Sequence, residues 1–242
     1  MTLKQFKGDN LNKMNKPIVI ILPETTRKPI SLIGRRAGIC WGADITDEEK
    51  NYKRGLECLE NNHGRTLEYV NIETVLDGWS ARVIREWYTH LGGSPTRLQA
   101  STRYINYSKG FDYVIPSKIK NNPDALAIYT ETMSNIVENA SILENELGIP
   151  REDVANIFPL GMNTKIVDKR NLRNAIDMSR QRMCNRAYWE YRKLFNTYIN
   201  ELKKIDNEWA YVVDNYFMPK CESLGYCPEK YSCGRKPKKE GE

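Results

Sequence analysis

The spacing of apolar residues changes character about halfway along the 242-residue chain. Early on, short runs alternate with turn residues. Pro17-Ile-Val-Ile-Ile-Leu22 is β-branched and is stopped by Pro23, which predicts a buried strand. Residues 30–41 are mixed and carry Arg35 and Arg36. Asp44 and Asp47 offer caps for a helix over 48–61, along which Tyr52, Leu56 and Leu59 recur at helical spacing until His63-Gly64 ends it. Alternation of Leu67, Tyr69 and Asn71 with Glu68, Val70 and Ile72 predicts a strand over 67–75. A helix follows over 80–90, with Val83, Ile84 and Trp87 on one face. Leu91-Gly92-Gly93-Ser94-Pro95 reads as a loop, and 104–116 as a strand with a turn at Lys109-Gly110.

The second half is predominantly helical in pattern. One long helix is predicted over 124–147, closed by Gly148 and Pro150, and Pro150-Arg-Glu-Asp153 opens a short helix or turn. The longest helix is expected over 171–205, with an apolar stripe of Leu172, Ile176, Met183, Ala187, Leu194 and Tyr198. These elements predict an α+β fold: a small mixed or antiparallel sheet in the first half with long helices, the longest in the C-terminal half. The expected organisation is a flexible arm over 1–16, a single domain over 17–234 and a charged tail over 235–242.

Composition narrows the function classes. Hydrophobic residues make up 40% of the chain, with five Trp and fourteen Tyr, which excludes a disordered composition. The formal charge is +6, and part of it sits in the tail at Arg235, Lys236, Lys238 and Lys239. The body is therefore only slightly basic, which favours small anionic ligands at a local site over a nucleic-acid groove. The longest apolar run is too short to span a bilayer, and the N-terminus lacks the apolar core of a signal peptide. A cytoplasmic protein with reduced thiols is expected for Cys40, Cys58, Cys184, Cys221, Cys227 and Cys233.

Two clusters carry candidate chemistry. Gly92-Gly93 is followed by Arg97, Gln99, Ser101, Thr102 and Arg103. Glycines let backbone amides approach a ligand, and arginines with hydroxyls suit a phosphate. A plain surface loop is the weightier reading of that cluster taken alone. Asn171, Arg173, Arg180, Arg182 and Arg186 form the second cluster. On a continuous helix Asn171 and Arg182 share a face about 16 Å apart along the axis, while Arg173 points away. A solvated basic stripe, paired with Glu190 and others, is again the weightier alternative. Cys221, Cys227 and Cys233 are spaced too widely for a usual zinc pair, so buried thiols are expected and no metal site. His63 and His90 are the only histidines, and no nucleophile–base pair is visible.

In order along the chain, these segments resemble the flavin-dependent thymidylate synthase family. His63-Gly-Arg65-Thr-Leu-Glu68-Tyr69 is similar to the family's Gly-His-x-Ser-x-x-Glu-His segment. The helix over 80–90 resembles the one leading into the signature Arg-His-Arg-x-x-Ser-x-Asn-x-x-Ser-x-Arg-Tyr, whose end matches Ser101-Thr102-Arg103-Tyr104. Phe111-Asp-Tyr-Val-Ile-Pro116, Pro150-Arg-Glu-Asp153, Phe158-Pro159, Asn171-Leu-Arg173, Arg182, Ala187-Tyr-Trp-Glu190 and the Cys221–Cys233 ending complete the resemblance, which covers about residues 30–235. Three departures stand out. Thr89-His90-Leu91 replaces Arg-His-Arg, Glu86 replaces a common Gln, and Ala155 replaces an Arg four residues before Pro159.

The resemblance implies a homotetramer with active sites shared between chains. It implies bound FAD, reduction by NADPH, and methylation of dUMP to dTMP with 5,10-methylenetetrahydrofolate. It further implies Arg182 as the catalytic residue beside the uracil. Contacts to dUMP would come from Glu86, Thr89, Gln99, Ser101, Thr102, Arg103 and Arg182. Contacts to FAD would come from Arg65, Glu68, Thr89, His90, Leu91, Asn171, Arg173 and Asp177. No nucleic-acid or membrane partner is expected. The departures leave open a family member acting on another pyrimidine nucleotide such as UMP. A non-catalytic nucleotide- or RNA-binding relative is the remaining alternative.

Overall fold

The computed structural model describes residues 16–239. Residues 1–15 of the expected arm and 240–242 of the tail lie outside the described residues. The chain divides into two compact units: one holds Asp77–Ile84 and Gln99–Lys165, the other Ile18–Leu76, Arg85–Leu98 and Ile166 onward. The fold is α+β, as the periodicity predicts. Four strands, β1 (Ile18–Ile21), β2 (Asn71–Ser80), β3 (Thr96–Gln99) and β4 (Asn163–Asn171), form one sheet in the order β1-β2-β4-β3.

After β1 the larger unit continues with two helices in close contact. The unassigned stretch over 30–41 is a helix, α1 (Pro29–Cys40), with Pro29 in its first turn and Ile30, Ile33 and Ala37 buried. The next, α2 (Glu48–Glu60), is capped as expected: the Asp47 carboxylate accepts from the Lys50 amide. Two glycines let their backbones touch. A Cβ on Gly34 would sit 1.8 Å from the Asn51 carbonyl oxygen, and one on Gly55 2.0 Å from that of Ile30. A short helix, α3 (Gly64–Leu67), follows where a helix break and then a strand were predicted. The strand itself starts later, at Asn71, after a turn in which Leu67 and Val70 are both buried.

From β2 the chain passes directly into α4 (Ala81–Trp87), with the Ser80 hydroxyl accepting from the Val83 amide at 3.1 Å. The smaller unit contains α5 (Ser117–Lys120), α6 (Pro123–Ser141) and α7 (Arg151–Val154). The helix α6 is the longest in the described residues, with 19, and runs on into a π-helical turn over Ile142–Glu146. Between 104 and 116 the predicted strand is replaced by irregular chain with a single bridge, Tyr113 to Met162. Edge-to-face rings of Tyr107, Phe111, Tyr113, Tyr129 and Phe158 pack that segment, so its aromatic alternation reflects ring packing rather than ladder pairing.

The last third departs most from expectation. The single helix predicted over 171–205 is two, α8 (Leu172–Arg182) and α9 (Trp189–Lys203). The break at Met183–Tyr188 carries no Gly or Pro. It is held by tertiary contacts, with Arg235 Nη1 donating to the Met183 carbonyl at 3.1 Å, one of the orphan acceptors at the end of α8. Leu172, Ile176, Leu194 and Tyr198 of the predicted stripe are buried, whereas Met183 and Ala187 fall in the break and are half-exposed. Two further helices, α10 (Asn207–Tyr216) and α11 (Lys220–Leu224), complete the chain. Trp209 of α10 is fully buried and its indole N–H donates to the Thr26 carbonyl at 2.7 Å. Cys58, Cys221 and Cys227 are buried thiols, but Cys233 is exposed. Among the described residues no helix is long and apolar enough to cross a membrane.

Candidate functional site

The candidate site in the larger unit grows from the part of β4 that begins at Ile166. The inward positions of the whole strand are Thr164, Ile166, Asp168 and Arg170, so the buried face is mostly polar. Arg170 is fully buried, with Nε donating to Asp168 at 2.6 Å, Nη1 to Asn174 at 2.7 Å, and its guanidinium 4.4 Å from the Trp87 ring centroid. The Trp87 indole N–H also donates to Asp168, at 3.1 Å. Burial opposes the Arg170 charge, and the Asp168 carboxylate with its two hydrogen bonds more than offsets it, so the pKa is raised.

Above this buried pair lies a second cation. Arg182 ends α8. Its Nε donates to His90 Nε2 at 2.9 Å, Nη1 to Glu86 at 3.1 Å and Nη2 reaches Thr89 Oγ1 at 3.5 Å. The guanidinium lies 4.6 Å from the Tyr191 centroid, and Tyr191 stacks on Trp87 at 5.7 Å. The result is a column of cation, ring, ring, cation: Arg182, Tyr191, Trp87, Arg170. Burial, then the charges of Arg182, Arg170 and Arg97, hold the His90 pKa down to about 4. His90 is therefore neutral near pH 7, with Nε2 as an acceptor and the proton on Nδ1. The expected rival partner of Arg182, Glu190, instead accepts from the Tyr188 hydroxyl at 3.2 Å. Glu86 provides the carboxylate.

A second group gathers at the N-terminal end of α8. Arg173 pairs with Glu68 at 2.7 Å. Arg65, Arg173, Asp177 and Arg180 border a polar cavity of about 180 Å³ together with Gly64. Asp177 also pairs with Arg180, at 3.4 Å. Asn171 is a helix cap, its side chain accepting from the Asn174 amide at 2.9 Å. Gly93, at φ +71°, lies against it: a Cβ there would come within 2.1 Å of Asn171 Nδ2. Gly93 thus gives room to an asparagine of the same chain. Leu91 next to it is exposed.

The third group lies in the smaller unit. Gln99 Nε2 donates to Thr164 Oγ1 at 3.2 Å, the Ser101 hydroxyl accepts from the Arg103 amide at 3.2 Å, and Thr102 is half-buried. The exposed Arg103 pairs with Glu152 at 2.9 Å. The predicted residues therefore form three local groups, of which Arg182–Glu86–Thr89–His90 is the most tightly interconnected. Sequence reasoning missed Tyr191, Asp168 and Arg170. The alternating burial of β4 was the available signal, concealed by the charges on its inner face. Among the described residues no group of three or more His, Cys, Asp or Glu is arranged to hold a metal ion.

Comparison with known proteins places the chain in a family. The family model described as "Thymidylate synthase complementing protein" matches residues 22–206. A flavin-dependent thymidylate synthase from Clostridium tetani is 28% identical over 242 residues, covering 90% of this chain and 94% of its own. Another, from Thermococcus kodakarensis, is 30% identical over 226 residues, covering 89% and 91%. Among solved structures, the flavin-dependent thymidylate synthase of Helicobacter pylori complexed with FAD and dUMP has a TM-score of 0.61 at 18% identity, covering 83% of this chain and 99% of that one. A UMP/dUMP methylase from Streptomyces cacaoi bound with 5-Br dUMP reaches 0.68 at 14% identity, covering 84% and 96%. At those identities the structures speak for the fold alone. Resting on the family match and the near full-length relatives, the chain belongs to the flavin-dependent thymidylate synthases, a family of methyltransferase enzymes.

Proposed function

We propose that the protein methylates dUMP to dTMP in a reaction that depends on FAD and NADPH and takes its carbon from 5,10-methylenetetrahydrofolate. The observation that carries this reading is the guanidinium of Arg182, fixed by Glu86, His90 and Tyr191 at the end of α8. Carbon–carbon bond formation needs electron density at uracil C5, which grows as N3 gives up its proton. A guanidinium stays charged at any working pH, and each terminal nitrogen of Arg182 keeps a second N–H to offer the developing anion. Neutral His90 holds Nε without adding a competing positive charge. Gln99, Ser101, Thr102 and Arg103 would hold the dUMP phosphate, Arg103 exchanging its exposed partner Glu152 for it.

FAD, when bound, supplies the hydride that completes the methyl group. The donor set around the 180 Å³ cavity fits the phosphates of such a cofactor: Arg65, Arg173 and Arg180 face a single lining carboxylate, Asp177. The cavity is of phosphate size, so it would hold that part of FAD and not its rings. Asn171, Glu68, Thr89, His90 and Leu91 would form the remaining cofactor wall. Arg173 and Arg182 are nine residues apart on α8, about 13 Å along its axis. The reading takes the sites to be completed by neighbouring chains, in a homotetramer.

The test is direct. The purified protein should be yellow, bleach when NADPH is added anaerobically, and convert dUMP in preference to UMP. A protein that takes up no added FAD overturns the reading. Preference for UMP would instead favour the altered-substrate alternative raised by Ala155 and by Thr89-His90-Leu91.

A further inference from the structure

Beside Arg182 lies an open cavity of about 810 Å³, and apart from Asp177, Arg180 and Arg182 the functional reading leaves its walls unused. Its walls carry Arg180, Arg182, Arg186, Lys220, Arg235 and Lys236 against only two carboxylates, Asp177 and Glu229. Part of this charge is matched: Arg182 by Glu86, Arg180 by Asp177 at 3.4 Å, Lys236 by Glu222 at 2.9 Å. Arg186 and Lys220 have no carboxylate partner among the described residues. Arg186 donates to the Tyr231 carbonyl and lies 5.5 Å from that ring's centroid, leaving the rest of its fork to the cavity. The cavity is also far larger than the neighbouring 180 Å³ one, with which it shares Asp177 and Arg180, so it has room for an extended ligand.

We propose that this cavity takes the anionic glutamate tail of the folate co-substrate, with Arg186 and Lys220 as its main contacts. The inference rests on the reading of Arg182 as the residue beside the uracil. A one-carbon donor must bring its reacting end to uracil C5, which that reading sets beside Arg182, and Arg182 is itself in the wall of this cavity. The rest of the donor ends in carboxylates, and each further γ-linked glutamate adds another. Cations separated along an open groove match carboxylates separated along a flexible chain better than they match one compact phosphate. Exposed ion pairs are individually weak and are screened by salt, so the selectivity comes from several acting together.

Calorimetry on the FAD-loaded protein, with tetrahydrofolate carrying one or three glutamates, tests this. The triglutamate should bind about tenfold more tightly at low salt, and the gap should close in about 0.5 M salt. Arg186→Gln and Lys220→Gln should each shrink the ratio, and the double variant should bring it to about one. Lys220→Gln, at an exposed position, keeps the test usable where Arg186→Gln folds poorly. Equal affinity for the two forms in the unaltered protein, or a ratio untouched by either substitution, overturns the inference while dUMP turnover leaves the functional reading standing. Variants that raise the KM for NADPH and keep the glutamate ratio assign the cavity to the dinucleotide and also overturn it. Failure of the unaltered protein to turn over dUMP removes the functional reading, and the inference falls with it.

Discussion

At the scale of single residues, Arg182 and His90 answer different questions. Truncating Arg182 removes a charge that the proposed chemistry uses and leaves Glu86 unpaired. Glu86 is 30% exposed, so water takes up that loss cheaply. Arg182→Ala should therefore cut dUMP turnover by about two orders of magnitude or more, comparable to losing one oxyanion donor, while the Tm moves little. Arg182→Lys keeps the charge without the planar fork and should fall between. A Tm that collapses together with turnover would make Arg182 a structural ion-pair partner instead. For His90 the folded pKa is depressed, from the ordinary 6.5 to about 4. The fold selects the neutral ring, so its stabilisation is complete above about pH 6.5 and is lost as pH falls toward 4. Allowing for partial solvent access, the loss is about 1–3 kcal/mol. His90→Gln keeps an acceptor for Arg182 Nε but does not titrate. Urea melts from pH 7.5 to 4 should show the unaltered protein losing stability faster than this variant, and parallel profiles would contradict the assignment.

At the scale of elements, the pair α1–α2 shows a constraint that no periodicity reports. Gly34 and Gly55 are needed because the two backbones meet, and a methyl on Gly55 would press on the Ile30 carbonyl at 2.0 Å. Gly55→Ala should cost about 3 kcal/mol, or about 6–12 °C in Tm for a chain of this size, read by thermal melting. An unchanged Tm would mean that the helices separate freely. This is also where the sequence was least legible. The helix α2 announced itself through Asp47 and the spacing of its apolar residues, and α4 through Val83, Ile84 and Trp87. The strand β4 did not, because Asp168 and Arg170 occupy the face where apolar residues would have marked it. The break between α8 and α9 was hidden because contacts from Arg235 and around Arg182 stop the helix, and distant contacts leave no local trace. The family's motif order pointed to Arg182, Glu86, Thr89 and His90, which the fold brings together. Tyr191 carried no such marker, since its role is fixed only by the stacking.

At the scale of the whole molecule, the surface of α6 bears on assembly. Only Met133 and Ala140 of its 19 residues are buried, and Ile128 is 67% exposed. A long helix so poorly covered by its own chain is consistent with further chains covering it. Light scattering should give about four times the 28.1 kDa chain mass, and a monomer that turns over dUMP would rule out shared sites. The column of Arg182, Tyr191, Trp87 and Arg170 adds an optical dimension to such experiments. Trp87 is wholly buried, one ring away from the cation that would meet the nucleotide. Indole emission responds to the charge and orientation of its neighbours, so the fold carries its own unlabelled reporter. A ligand that pulls Arg182 off Tyr191 would change the colour and yield of Trp87 fluorescence, turning occupancy of the site into a signal that can be followed in real time.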